Sequence, residues 1–152
     1  RTLLQAPWRV WLPTNHPLVQ REAVSLWGLR DERFLYLKND ELEEVTQQIY
    51  RLSGSPPVAV RTDSIEAVRS LVALGIGIAV LPNLMYRPWS LEGDRLESRP
   101  LLEDLPRLEI GVTWRRGSAL SEAARQFLVV VGEHSRVQEY GMNYAELLST
   151  AE

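Results

Sequence analysis

The stretch Asp63-Ser64-Ile65-Glu66-Ala67-Val68-Arg69-Ser70-Leu71-Val72-Ala73-Leu74-Gly75-Ile76-Gly77-Ile78-Ala79-Val80-Leu81-Pro82-Asn83 changes its hydrophobic period midway, and that change decides the fold. In the first half Ile65, Val68 and Val72 recur at helical spacing, with Leu71 beside them. Asp63, followed three residues later by Glu66, has the pattern of a capping box. In the second half Ile76 to Leu81 is a continuous apolar run, as in a strand buried on both faces. Gly75 reads as a left-handed helix stop, and Gly77 as a place where strand and helix pack closely. A capped helix running into a buried strand is a building unit of an α/β domain.

The same design stands upstream. Phe34-Leu35-Tyr36-Leu37 is a buried strand, Asp40 and Glu43 form a second capping box, and Leu42, Val45, Ile49 and Leu52 make an apolar helical stripe. Gly54, Pro56 and Pro57 end that helix, and Val58-Ala59-Val60 is the next strand. Earlier, Trp8 to Leu12 alternates with Trp8, Val10 and Leu12 on one face, and Pro13 to Pro17 break it. Ser25 to Leu29 and Leu84 to Arg87 read as brief helical turns. Downstream, Leu96 to Leu101 and Leu108 to Trp114 are strands. Ser121 caps a third helix that turns Ala124, Phe127, Leu128 and Val131 inward and ends at Gly132. Val137, Tyr140, Tyr144 and Leu148 space a final amphipathic helix. Strands alternating with helices imply a largely parallel sheet covered by helices.

Composition narrows the function. The 152 residues are 45% hydrophobic and 24% charged, the balance of a globular domain able to bury a core. A net charge of -3 and a pI near 5.5 argue against direct nucleic-acid binding, which favours a basic stripe. The absence of cysteine excludes disulfides and thiolate metal sites and fits a reducing, cytoplasmic setting. No apolar run is long enough to span a bilayer, so no membrane partner is expected. The chain begins at Arg1 rather than a methionine and is expected to belong to a longer protein.

No constellation for chemistry stands out. His16 and His134 lie far apart and outside any metal-ligand spacing, and Glu41, Glu43 and Glu44 complement a helix dipole. His16 is read as a surface or turn residue without a partner, and no nucleophile elbow is present. Neither a metal nor a cofactor is expected, nor any catalytic residue. Gly75-Ile76-Gly77 is not a dinucleotide loop: Val80 stands where a third glycine belongs, and the glycines precede a strand instead of a helix. The strand ends are better candidates, because in open α/β sheets ligands sit beyond the carboxyl ends of strands. Lys38, Asn39 and Asp40, then Thr62, Asp63 and Ser64, then Pro82 and Asn83 occupy three such ends. As caps, Asp40 and Asp63 compete with an anionic ligand for the helix amides, so a neutral or cationic ligand, or one held by Lys38, fits more easily.

These residues resemble a known family. Asn15-His16-Pro17-Leu18 with Val24-Ser25-Leu26, then Ser70 to Pro82, then Gly111-Val112-Thr113-Trp114-Arg115-Arg116-Gly117 and the helix bearing Phe127, are similar to the effector-binding domain of LysR-type transcriptional regulators. The resemblance runs from about Leu4 to Glu133 and is most specific across Val72 to Pro82. It implies a type 2 periplasmic-binding-protein-like fold, in which a small-molecule effector sits between two α/β lobes. It further implies that this chain holds one complete lobe and part of the other. Residues 1–32 and 107–135 are assigned to the first lobe, 33–106 to the second, and 136–152 to a C-terminal helical tail. DNA contact then belongs to an N-terminal winged helix-turn-helix outside these residues, and the eight strand-end residues become this lobe's half of the effector site. The charged Lys38-Asn39-Asp40-Glu41 departs from the small or hydroxyl residues frequent in the family. An extracytoplasmic solute-binding protein of the same fold is the alternative; an enzyme on a related two-lobed fold has no residues to support it. Part of the first lobe is absent from the sequence, which leaves a sheet edge and apolar surface uncovered, and both favour a homo-oligomer. Size-exclusion chromatography at high concentration is expected to show a dimer or larger; a clean monomer contradicts this.

Overall fold

A computed structural model describes residues 1–138. The expected tail helix and its residues Tyr140, Tyr144 and Leu148 lie outside the described residues. The chain divides into two compact units, Ala6–Leu108 and a smaller one formed by Arg1–Gln5 with the segment from Glu109.

The larger unit is built on five strands: β2 (Trp8–Pro13), β3 (Phe34–Leu37), β4 (Val58–Thr62), β5 (Ala79–Pro82) and β6 (Leu96–Pro100), with helices α1 (Glu43–Leu52) and α2 (Ile65–Ala73). β3 and β4 pair in parallel, with Leu37 opposite Thr62. A parallel bridge between Phe34 and Ile78 carries the pairing on to the segment entering β5: Leu35 N–H donates to the Ile78 carbonyl at 2.8 Å, and Ile78 N–H to the Arg33 carbonyl at 2.8 Å. β2 lies between β5 and β6, antiparallel to both. The order is therefore β4-β3-β5-β2-β6.

The sheet is mixed, not largely parallel. Apart from an isolated parallel bridge between Val24 and Leu101, the parallel pairing described joins the strands connected through α1 and α2, since a parallel connection needs a long crossover. β2 arrives without a crossover helix and pairs antiparallel on each side. It is buried on both faces: Val10, Trp11 and Leu12 are all 0% exposed. The alternation read from Trp8, Val10 and Leu12 understated this burial. Trp11, on the other face, meets Tyr86 edge-to-face at 5.8 Å and lies under the Arg69 guanidinium of α2 at 5.9 Å. β2 is also why residues 8–32 do not group with the returning C-terminal segment, as the expected boundary after residue 32 had it. Both hydrogen-bonding edges of β2 are taken by β5 and β6, so Ala6–Leu108 is one unit.

The glycines between α2 and β5 act in two different ways. Gly75 adopts φ +75; its N–H donates to the Val72 carbonyl at 2.9 Å, and Ile76 N–H to the Leu71 carbonyl at 3.0 Å, a Schellman stop. Gly54 ends α1 in the same way, with φ +74. Gly77 is required by a close approach to β3 instead of to the helix, because a Cβ there would lie 2.6 Å from the Arg33 carbonyl oxygen.

The smaller unit pairs β1 (Thr2–Ala6) with β7 (Leu108–Gly111) and carries α3 (Glu122–Gln138). Arg1 and Val112 exchange backbone hydrogen bonds, both 2.9 Å, the mark of an antiparallel pair. Ser121 caps α3 by accepting from Ala124 N–H at 3.2 Å. Ala124, Leu128 and Val131 are partly covered, but Phe127 is 55% exposed and does not face inward. Gly132 does not end the helix, which continues to Gln138; it is a buried helical glycine whose Cβ would run into the Arg1 guanidinium.

Gly77→Ala should cost about 1–3 kcal/mol in urea denaturation, the usual range for overpacking. Gly28→Ala, with nothing within 4 Å of its added Cβ, serves as the control. Equal stability of the two variants contradicts the close approach.

Candidate functional site

The carboxyl ends of β3, β4 and β5 fall on one edge of the sheet, because these three strands run parallel. Lys38 follows β3, and its N–H donates to the Thr62 carbonyl at 2.7 Å, which puts the first two predicted strand ends side by side. Pro82 and Asn83 end β5 on the other side of β3, and Asn83 N–H donates to the Pro7 carbonyl at 2.7 Å. The connections reverse direction here: α1 carries the chain from β3 to β4, and α2 carries it back past β3 to β5. Such a switch point opens a crevice at the strand ends.

The capping groups differ from those expected. Asp40 does not cap α1. Asn39 does the local work, its Oδ1 accepting from Glu41 N–H at 3.0 Å and Leu42 N–H at 3.2 Å. The helix begins at Glu43, and Leu42 stands at its cap position with no side-chain bond to offer. Asp63 does not cap α2 either. Ser64 is the cap, extended at φ -94 and ψ 114, and its Oγ accepts from Ala67 N–H at 3.2 Å. Thr62 Oγ1 accepts from Ser64 N–H at 3.1 Å and fixes the turn. A shorter hydroxyl one residue closer to the helix reaches the amide in better geometry than Asp63 does. Asp40 and Asp63 are left exposed at this edge, with Lys38 as the exposed cation between the two strands' loops. Asn39, Thr62 and Asn83 are half-buried, and Pro82 is buried.

Residues outside the predicted site set secure the rim. Tyr36 sits opposite Arg61 in the β3–β4 register, with the guanidinium 4.4 Å from the ring centre. The Tyr36 hydroxyl donates to Glu43 Oε1 at 2.8 Å, and Gln47 Nε2 donates to the same oxygen at 2.8 Å. This ties the first turn of α1 to the sheet across the Lys38–Leu42 loop. Burial, and then the Glu43 carboxylate, push the Tyr36 phenol above its ordinary range. The hydrogen bonds from Gln47 and then Tyr36 hold Glu43 below the usual carboxylate range. Tyr36 was hidden inside an apolar run; the one available signal was an acid seven residues downstream at a helix start.

His16 is not partnerless. Its Nδ1 accepts from Leu18 N–H at 3.2 Å and caps a 3-10 turn (Pro17–Gln20), while Nε2 lies 3.1 Å from Glu32 Oε1. No group of three or more His, Cys, Asp or Glu capable of holding a metal occurs among the described residues. Among them, no helix is long and apolar enough to cross a membrane.

With this geometry in place, comparison with known proteins identifies the family. The LysR substrate binding domain model matches residues 1–136, and the chain belongs to that family. It is 27% identical over 149 residues to a hydrogen peroxide-inducible genes activator of Pectobacterium carotovorum subsp. carotovorum, covering 97% of this chain and 47% of that protein. It is 28% identical over 127 residues to an uncharacterized HTH-type transcriptional regulator, YybE, of Bacillus subtilis, covering 82% of this chain and 42% of the relative. The chain thus spans less than half the length of these relatives. Among solved structures, the C-terminal domain of a probable LysR family transcriptional regulator from Rhodococcus sp. RHA1 superposes with a TM-score of 0.73 at 27% identity. That match covers 86% of this chain and 65% of the Rhodococcus one. The fold is the type 2 periplasmic-binding-protein-like fold of that family's effector domains.

Because the folded-state Glu43 lies below its ordinary range, the stability it adds is present at neutral pH and is lost as pH falls through the folded value. Tyr36→Phe removes one of the two donors that hold it down. Its acid unfolding should begin at a higher pH than that of the unaltered chain, followed by circular dichroism. Coincident acid transitions contradict the tether.

Proposed function

We propose that this chain is the effector-sensing region of a LysR-type transcriptional regulator, and that its larger unit is the second effector lobe. The strand-end edge is its half of the effector site. The carrying observation is the alignment of Lys38, Thr62 and Asn83 at three parallel strand ends where the connections reverse. Asn39, Asp40, Asp63, Ser64 and Pro82 complete the edge. The relatives found are transcriptional regulators, which favours this reading over a solute-binding protein.

The free groups on the edge define what it accepts. Asn39 already takes amides of the loop before α1 and Ser64 an amide of α2, while Asp40 and Asp63 remain as exposed carboxylates. A neutral or cationic small molecule suits it, as does an acid whose charge is taken by Lys38. One of the relatives' features does not carry over directly. One relative is named for induction by hydrogen peroxide, but these 152 residues contain no cysteine, so thiol oxidation is not open to them. Sensing here is by binding, and the response is a population shift: an effector with higher affinity for one arrangement favours that arrangement, and a homo-oligomer relays it to separate DNA-binding domains.

A metabolite screen by thermal shift on the full chain tests this. A true effector raises the melting temperature in a concentration-dependent way. Combined Lys38→Ala, Thr62→Ala and Asn83→Ala substitutions should weaken its binding by at least about tenfold, as expected for loss of one good polar contact or more. Unchanged affinity for every hit removes the strand-end edge from the site.

A further inference from the structure

The parallel pairing between β3 and β5 stops after one bridge. Ile78 turns both its main-chain groups to β3, its N–H donating to the Arg33 carbonyl and its carbonyl accepting from Leu35 N–H, each at 2.8 Å. Main-chain groups two residues apart on a strand face the same neighbour, so Val80 turns its N–H towards β3 and Leu35 its carbonyl towards β5. A bond between these two would extend the bridge into a ladder. Among the described residues the Phe34–Ile78 bridge is isolated, and β3 and β5 stand in separate ladders. Leu35 and Val80 are nevertheless only 4% and 6% exposed, and buried main-chain groups are rarely left without a partner.

A small cavity, of about 20 Å³, lies where the two strands part. Its walls are β3, Val80 and Leu81 of β5, and a face of α1 with Thr46, Ile49 and Tyr50. The two phenols on these walls are spent elsewhere, Tyr36 on Glu43 and Tyr50 on the Pro56 carbonyl. The Thr46 hydroxyl is not. Its oxygen is buried and has no hydrogen-bond partner among the described residues. A hydroxyl on a helix can bond the carbonyl one turn back, and Ser53 just past α1 does so, donating to the Ile49 carbonyl at 2.9 Å. Thr46 leaves that route to its N–H, which donates to the Leu42 carbonyl at 2.9 Å.

A hydroxyl, a carbonyl and an N–H therefore belong to residues around one small space. Water satisfies such a set with three bonds, the usual number for a buried water. A polar cavity admits a water from ~10–15 Å³ upwards, so this one has room for a single molecule and for no larger ligand.

We propose that the cavity is a binding site for one ordered water, which donates to the Leu35 carbonyl, accepts from Val80 N–H and bonds the Thr46 hydroxyl. The water takes the place of the missing rung between β3 and β5 and ties both strands to α1. Leu35 and Val80 each stand two residues before the end of their strands, so the water also sets the spacing of those ends. The assignment does not require the strand-end edge to bind an effector.

The test is a water-selective NOE experiment by NMR on the isotopically labelled full chain. A long-lived water should give a cross-peak at the Val80 amide with the sign of a bound molecule. Thr46→Val keeps the shape and nearly the helix propensity of the side chain while removing its hydroxyl. The cross-peak should then be lost and the melting temperature should fall, because the buried main-chain pair is left unbridged. Thr46→Ser retains the hydroxyl and should retain the cross-peak. In a dry cavity Thr46→Val would instead remove an unpaired buried hydroxyl and melt at the same temperature or higher. No cross-peak at Val80 in the unaltered chain, its persistence in Thr46→Val, or a Thr46→Val variant as stable as the unaltered chain overturns the proposal.

Discussion

A buried strand must satisfy its backbone donors and acceptors along both edges, and β2 does so with partners that come from far along the chain. β5 begins at Ala79 and β6 at Leu96, yet both close on Trp8–Pro13. With Val10, Trp11 and Leu12 fully buried, an unpaired β2 edge would leave amide and carbonyl groups in an apolar core. Much else hangs on this pairing. Trp8 opposite Pro82 sets where β5 stops, and the Pro7 carbonyl holds Asn83 in place. The bridge from Phe34 to Ile78 then aligns β3, and β3 aligns β4. The strand-end edge is the outcome of that chain of registers.

The edge is polar but pre-arranged, and its order comes from side chains that never need to touch a ligand. Thr62, Ser64 and Asn39 lock the turns by local bonds, and Tyr36 pins the start of α1 through Glu43. A loop restrained in this way loses little conformational freedom when a ligand arrives, which favours binding. The same economy appears at the Leu26–Leu29 turn, which Glu103 holds by accepting from the Ser25 hydroxyl and the Leu26 N–H.

Much of this was legible in the sequence, and what was not has physical causes. The shift from helical to strand period across Asp63–Asn83 located α2, the Gly75 stop and β5, because each is a local matter of spacing and backbone conformation. The family likeness on Val72 to Pro82 was carried by the same residues. The capping residues were misread: Asp is a strong cap by preference, but Ser64 and Asn39 had the better geometry, which only backbone angles reveal. The neighbours of β2 were illegible because antiparallel pairing across some seventy to ninety residues leaves no periodic trace. His16 and Glu32 likewise meet without any sequence pattern to announce it. Phe127 stood at a core spacing on α3 but lies exposed, since one helix face cannot be told from its neighbour without knowing what packs there.

The central claim is that the ligand-sensing edge is made by the ends of β3, β4 and β5. Hydrogen exchange on the full-length regulator, with and without an effector that alters its transcriptional output, addresses it most directly. Protection gained together at residues 38–42, 62–66 and 82–85 is the predicted result. Protection confined to other segments, with these three unchanged under saturating effector, would contradict it.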